Sequence, residues 1–217
     1  MTHMRTITVK GGGEAGVKPD CIRISIELSA KDADYSMTLE LISMHNEELI
    51  AALRSVKILP DQVKTTDFNI QPQYENVQDS CGNWKQAQTG YCCLHRMYVE
   101  LDLDLEALAR VLSVVSGCDA CPVCRIRFTL RDPRAAEELL LRDAAANARE
   151  RAEILANASG CELGELQNID YQLGSLHADS ATNFDTPAEM LRTSKLPSFT
   201  PNDIHLSQDV AFTWELL

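Results

Sequence analysis

The alternation of apolar and polar residues divides the chain into strands of period two and helices of period near 3.6. Residues 6–10 alternate and run into Gly11-Gly12-Gly13-Glu14-Ala15-Gly16. After Pro19-Asp20 a second strand puts Ile22, Ile24, Ile26 and Leu28 on one face and Arg23, Ser25 and Glu27 on the other, as in a sheet wet on one side. Antiparallel pairing of these first two strands is the natural expectation. A helix follows over residues 34–56, its main stripe formed by Tyr35, Leu39, Ile42, Leu49, Leu53 and Val56 with Asn46 in the middle. Residues 63–74 predict a third strand with Phe68 and Ile70 facing one way and Pro72 at an edge or strand end. Turn residues at Asp79-Ser80-Cys81-Gly82-Asn83 lead to a long strand over 89–103, where Tyr91, Cys93, His95, Met97, Val99 and Leu101 share a face. Asp104 caps a short helix carrying Leu105, Leu108, Ala109, Leu112 and Val115, closed by Gly117. Residues 124–130 alternate once more, with Cys124, Ile126, Phe128 and Leu130 inward.

The longest helical signal lies between Asp132 and Gly160. Asp132 offers a capping carboxylate, Pro133 suits the first helical position, and Gly160 supplies a left-handed stop. Between them neither Gly nor Pro occurs. Leu141, Ala144, Ala145, Ala148, Ala152 and Leu155 form a small-residue stripe, which lets a backbone approach a sheet closely. Glu138, Arg142, Arg149 and Glu153 make i,i+4 pairs on the other side. A strand over 166–173 and a strongly patterned one over 204–216 complete the chain, separated by the stretch 174–203, read as a long mobile loop. The expected class is α+β, with largely antiparallel sheets covered by three main helices. A single domain spans 1–217, or divides into two α/β subdomains of about 1–88 and 89–217.

Charge narrows the partners. Twenty Lys and Arg against 32 Asp and Glu give a net charge of −12, which disfavours nucleic acid and anionic membrane surfaces. No apolar run approaches the ~18 residues of a membrane helix. The polar-alternating start lacks the features of a secretory signal, so the expected location is the cytoplasm, with the eight cysteines as free thiols.

Candidate chemistry is sparse. Gly11-Gly12-Gly13-Glu14-Ala15-Gly16 fits G-x-G-x-x-G, but a strand rather than a helix follows it, which favours a glycine-bulged strand and hairpin over a dinucleotide site. Cys118, Cys121 and Cys124 form C-x-x-C-x-x-C, a spacing open to zinc, to an iron–sulfur site or to redox chemistry. A fourth ligand would have to come from Cys92, Cys93 or His95, should their strand lie beside Cys124. Against this, Cys124 on an inward face behaves as a small hydrophobe. The histidines, His3, His45, His95, His177 and His205, are scattered, and His45 is expected on a helix surface. No nucleophile motif accompanies them, so an enzyme is not expected and no cofactor is called for. Met37, Leu41 and Met44 form a second apolar strip on the first long helix and are the candidate oligomer contact, predicting a homo-oligomer.

The order of these signatures resembles the SIMPL-domain family. The residues that carry it are Ile7 to Asp20 as I-T-V-x-G-x-G followed by Pro-Asp, Thr65-Thr66-Asp67-Phe68 ahead of Gln71-Pro72-Gln73-Tyr74, Gly90-Tyr91, and the Asp132-Pro133 helix with Ala148-Arg149 and Ala152-Glu153. The family includes bacterial periplasmic immunogenic and oxidative-stress-defence proteins. The resemblance implies an α+β fold, ring- or channel-like assembly, a link to stress response and no established catalytic residue. With no leader expected at its polar start, a location apart from that of the periplasmic members is the expectation.

Overall fold

A computed structural model of the chain describes residues 5–78, 84–171, 178–187 and 200–217. The fold is α+β, as expected. The strands are β1 (Thr6–Val17), β2 (Cys21–Asp32), β3 (Lys64–Gln78), β4 (Trp84–Asp102), β5 (Val123–Thr129), β6 (Leu163–Asp170), β7 (Asp179–Pro187) and β8 (Ile204–Leu216). The helices are α1 (Tyr35–Ser55), α2 (Leu105–Ser116) and α3 (Arg134–Ala158), with a short 3-10 turn at Pro60–Gln62. β7 lies inside the stretch expected to be a loop; residues 174–177 and 188–199 of that stretch lie outside the described residues.

Two compact units result. One comprises Met1–Asp20, Thr129–Ala181 and Pro201–Leu217, the other Cys21–Phe128 and Thr182–Thr200. The first contains a three-stranded sheet ordered β1-β8-β6, in which both pairings are antiparallel. The second is built on a sheet ordered β3-β4-β2-β5-β7. The first two strands therefore do not pair with each other: β1 pairs with β8 and β2 with β4. Local sequence suggested a hairpin, but the far end of the chain supplies β1 with a longer partner, in register from Thr6↔Glu215 to Val17↔Ile204 without a bulge.

In the five-stranded unit, branched and aromatic side chains fill the space between sheet and helices. Ile22, Ile24, Ile26 and Leu28 of β2 meet Ile42, Leu49 and Leu53 of α1 and Leu108, Val111, Leu112 and Val115 of α2. Each such side chain, fully buried, contributes roughly 1.5–3 kcal/mol. Tyr35, expected in the inward stripe, is instead exposed and rests edge-on against Tyr91 at 5.5 Å, while Thr38 takes the buried place one turn on. Thr38 fits there because its hydroxyl donates to the carbonyl of Asp34 at 2.8 Å. Asp34 and Asp104 cap α1 and α2, each carboxylate accepting two first-turn amides. The sheet's other face carries a cross-strand ladder. Arg96 of β4 donates to Glu27 of β2 (2.7 Å) and to Asp67 of β3 (2.9 Å), its register neighbours on either side.

The three-stranded unit packs differently. The residues of α3 buried against it are Ala136, Leu140, Ala144, Ala148, Ala152 and Ala156, spaced strictly by four. Each four-residue step overshoots a full turn by about 40°, so the stripe winds around the helix, and the expected members Leu141 and Leu155 fall on its flanks. Asp132 accepts from the amide of Arg134 (3.0 Å), Pro133 already has helical angles, and Gly160 takes a positive φ of 74°. Both ends of α3 thus follow the sequence signals.

Candidate functional site

The seam between β1 and α3 holds the two tightest glycine approaches among the described residues. A Cβ on Gly11 would stand 1.9 Å from the carbonyl oxygen of Ala144, and one on Gly13 would stand 2.0 Å from that of Leu140. The spaced glycines are therefore contact points for a helix backbone, not a phosphate loop and not a bulge. Along one flank of α3, Asp143, Asn147 and Arg151 reach the outer edge of β1. Asn147 donates its amide to Gly12 O at 2.8 Å, Arg151 its guanidinium to Lys10 O at 3.1 Å, and the amide of Glu14 donates to the Asp143 carboxylate at 3.1 Å. The periodicities match: four helical residues advance about 6.0 Å and two strand residues about 6.7 Å. A comb of three side chains thereby occupies backbone groups that an edge strand would otherwise offer to another chain. Leu139 and Leu155, both exposed, extend the comb's row at either end.

β6, at the opposite edge of the same sheet, is left open. It has no strand beyond it among the described residues, and Glu165 to Asp170 are all exposed. Leu166 and Ile169 stand opposite Trp214 and Phe212, so they lie on the apolar face that α3 covers elsewhere, yet they are 47% and 51% exposed. α3 meets this side where Leu163 packs against the cluster that contains Ala144, Ala148 and Ala152, and at Tyr171, whose hydroxyl donates to Glu137 at 2.8 Å; the accepting carboxylate raises the pKa of the phenol.

A third open region is the ribbon formed by the far ends of β3 and β4. β2 accompanies β4 only as far as Tyr91, so Trp84–Gly90 of β4 pairs with β3 alone among the described residues. Gly90 marks the departure: a Cβ there would stand 2.4 Å from the carbonyl oxygen of Asp32. Tyr74 and Trp84 are exposed on this ribbon.

Among the described residues, Cys118, Cys121 and Cys124 do not gather into a metal-binding group. Cys118 and Cys124 are buried in the core of the five-stranded unit, whereas Cys121 is exposed in a turn at φ 47°. Burial, followed by the charge of nearby Cys118, pushes the Cys124 thiol up to about 12, which keeps it protonated at neutral pH and a poor nucleophile. β2 stands between β4 and β5, so Cys92, Cys93 and His95 do not flank Cys124. Among the described residues no three His, Cys, Asp or Glu side chains are placed to hold a metal ion, zinc included.

His95 shares a hydrogen bond with the Thr65 hydroxyl at 3.0 Å and packs edge-on against Phe68, and burial lowers its pKa. His45 is half-buried rather than on the surface, with Nδ1 enclosed and unpaired among the described residues. On α1, Met37 and Met44 are 51% and 65% exposed, while Leu41 already packs against the core of its own unit. Of the expected contact strip, the two methionines are thus what α1 leaves uncovered. The α3–β1 comb and the open β6 edge escaped the sequence reading; the four-residue spacing of Asp143, Asn147 and Arg151 was the available signal.

These features define an α+β protein whose most specific local arrangement is a glycine-paired edge strand seated under an alanine-striped helix. The chain belongs to the SIMPL family: the family model, described as a protein of unknown function (DUF541), matches residues 7–214, nearly the whole chain. A comparison with curated proteins gives no match. Among the described residues, no helix is long and apolar enough to cross a membrane.

Proposed function

We propose that this SIMPL-family chain is a non-enzymatic, self-assembling scaffold, and that it acts in bacterial stress response, the latter on the family resemblance alone. The observation that carries self-assembly is the placement of exposed large apolar side chains. Met37 and Met44 on α1, and Tyr74 and Trp84 on the β3–β4 ribbon, leave large apolar side chains facing solvent. A two-stranded ribbon alone in water is marginal, and a packing partner stabilises it. Light scattering of the full chain at micromolar concentration tests the reading. A mass that is a multiple of 24.1 kDa supports it, and a strict monomer overturns it.

A second reading assigns thiol chemistry, by metal or redox, to Cys118, Cys121 and Cys124. The closeness of Cys118 and Cys124 favours it, and their burial opposes it. Thiol labelling of the native protein separates the two. Modification confined to exposed positions such as Cys121 leaves the scaffold reading in place, whereas rapid labelling of Cys118 and Cys124, or one bound metal ion per chain, would establish the thiol reading.

A further inference from the structure

We propose that the open edge of β6 is where a second copy of this chain adds, the two β6 strands pairing antiparallel about a two-fold axis near Leu166. This rests on the self-assembly reading and names a surface for it. The first observation is the unequal treatment of the two edges of one small sheet. β1 is occupied by Asp143, Asn147 and Arg151, whereas β6 has no strand beyond it among the described residues. Of the devices that blunt an edge, lysine and proline are absent from Leu-Gly-Glu-Leu-Gln-Asn-Ile-Asp, while two register irregularities and the acidic Glu165 and Asp170 are present.

The second observation is the continuity of the apolar face. It runs from Ile7 and Val9 through Trp214 and Phe212 to Leu166 and Ile169, where the helix cover ends and half of each side chain is left in water. A two-fold axis perpendicular to the sheet brings the same face of a second copy alongside and continues that apolar surface across the junction.

The third observation is that the strand is compatible with itself. Centred on Leu166, antiparallel pairing sets Leu166 beside Leu166, Glu165 opposite Gln167 and Leu163 opposite Ile169, so like charges meet only at the end of the strand. The register irregularities of β6 flank Leu166 on both sides, at Leu163/Leu166 and at Leu166/Asn168, so the same axis matches bend to bend. Asp170 falls opposite Glu162 at the rim, where added salt screens the repulsion and tightens the pair.

Sedimentation equilibrium of the full chain, alongside Leu166→Lys and Gln167→Glu, the latter setting like charges opposite each other at Glu165 of each copy, tests the proposal. Gln167 is exposed, so its variant keeps the test informative if Leu166→Lys fails to fold. The expected result is an oligomer whose mass at least halves, or whose dissociation constant rises at least tenfold, in each folded variant. An oligomer unchanged by both substitutions overturns the β6 pairing and leaves self-assembly standing. A wild-type monomer overturns both.

Discussion

The two edges of the β1-β8-β6 sheet differ in what satisfies their backbone. At β1 the helix that covers the sheet also closes its edge, because Gly11 and Gly13 let α3 come close enough for side chains on its flank to reach past the strand. At β6 the same helix stands too far over to help, and Leu166 and Ile169 remain half in water. The contrast shows how one close helix–strand contact both builds a core from small residues and decides which edge is available for assembly. The five-stranded unit reaches its stability by the other route, with large branched side chains at ordinary helix–sheet spacing.

Substitutions grade this contrast. The largest effect is expected at the seam. Gly11→Val pushes side-chain carbons into the Ala144 carbonyl, backbone that cannot rotate away, and should cost at least the ~3 kcal/mol of severe overpacking, measured by urea unfolding. Next is Asn147→Ala, which leaves Gly12 O without its 2.8 Å donor in a half-buried place; about 1–2 kcal/mol should be lost, with faster amide exchange confined to the middle of β1. Arg151→Ala removes a more exposed, 3.1 Å contact to Lys10 O, and its cost should stay near 0.5 kcal/mol in the same assay. Smallest is Glu153→Ala. Its 2.9 Å pair with Arg149 lies on the solvent side of α3, away from either edge, and a melting curve should move by no more than the equivalent of about 0.5 kcal/mol. A Glu153 effect as large as that of Asn147 would break the claim that the comb matters because of where it lies.

Much of this architecture was legible in the chain. The period-two runs gave seven of the strands, most clearly β2, β4, β5 and β8, where one face lies in a core, and α3 announced both of its ends through Asp132-Pro133 and Gly160. β7 was not legible: Asp-Ser-Ala-Thr-Asn-Phe-Asp-Thr-Pro has no sustained alternation, and its strand state comes from a place at the sheet's edge. The partner of β1 was also hidden, since pairing with β8 joins residues about two hundred apart and local pattern says nothing of it. The spaced glycines were visible as residues, but their reason, two helix carbonyls about 2 Å from any Cβ, is a tertiary fact. For the candidate site, Met37 and Met44 stood out by period, whereas the openness of β6 depends on where α3 stops.

Amide hydrogen exchange of the full chain, followed residue by residue at low and at high micromolar concentration, addresses the difference between the edges most directly. The account predicts that amides of Leu163–Asp170 become slower as concentration rises, while those of Lys10, Gly12 and Glu14, already behind the α3 comb, do not change. Exchange in β6 that is independent of concentration, or protection that grows at β1 instead, would contradict it.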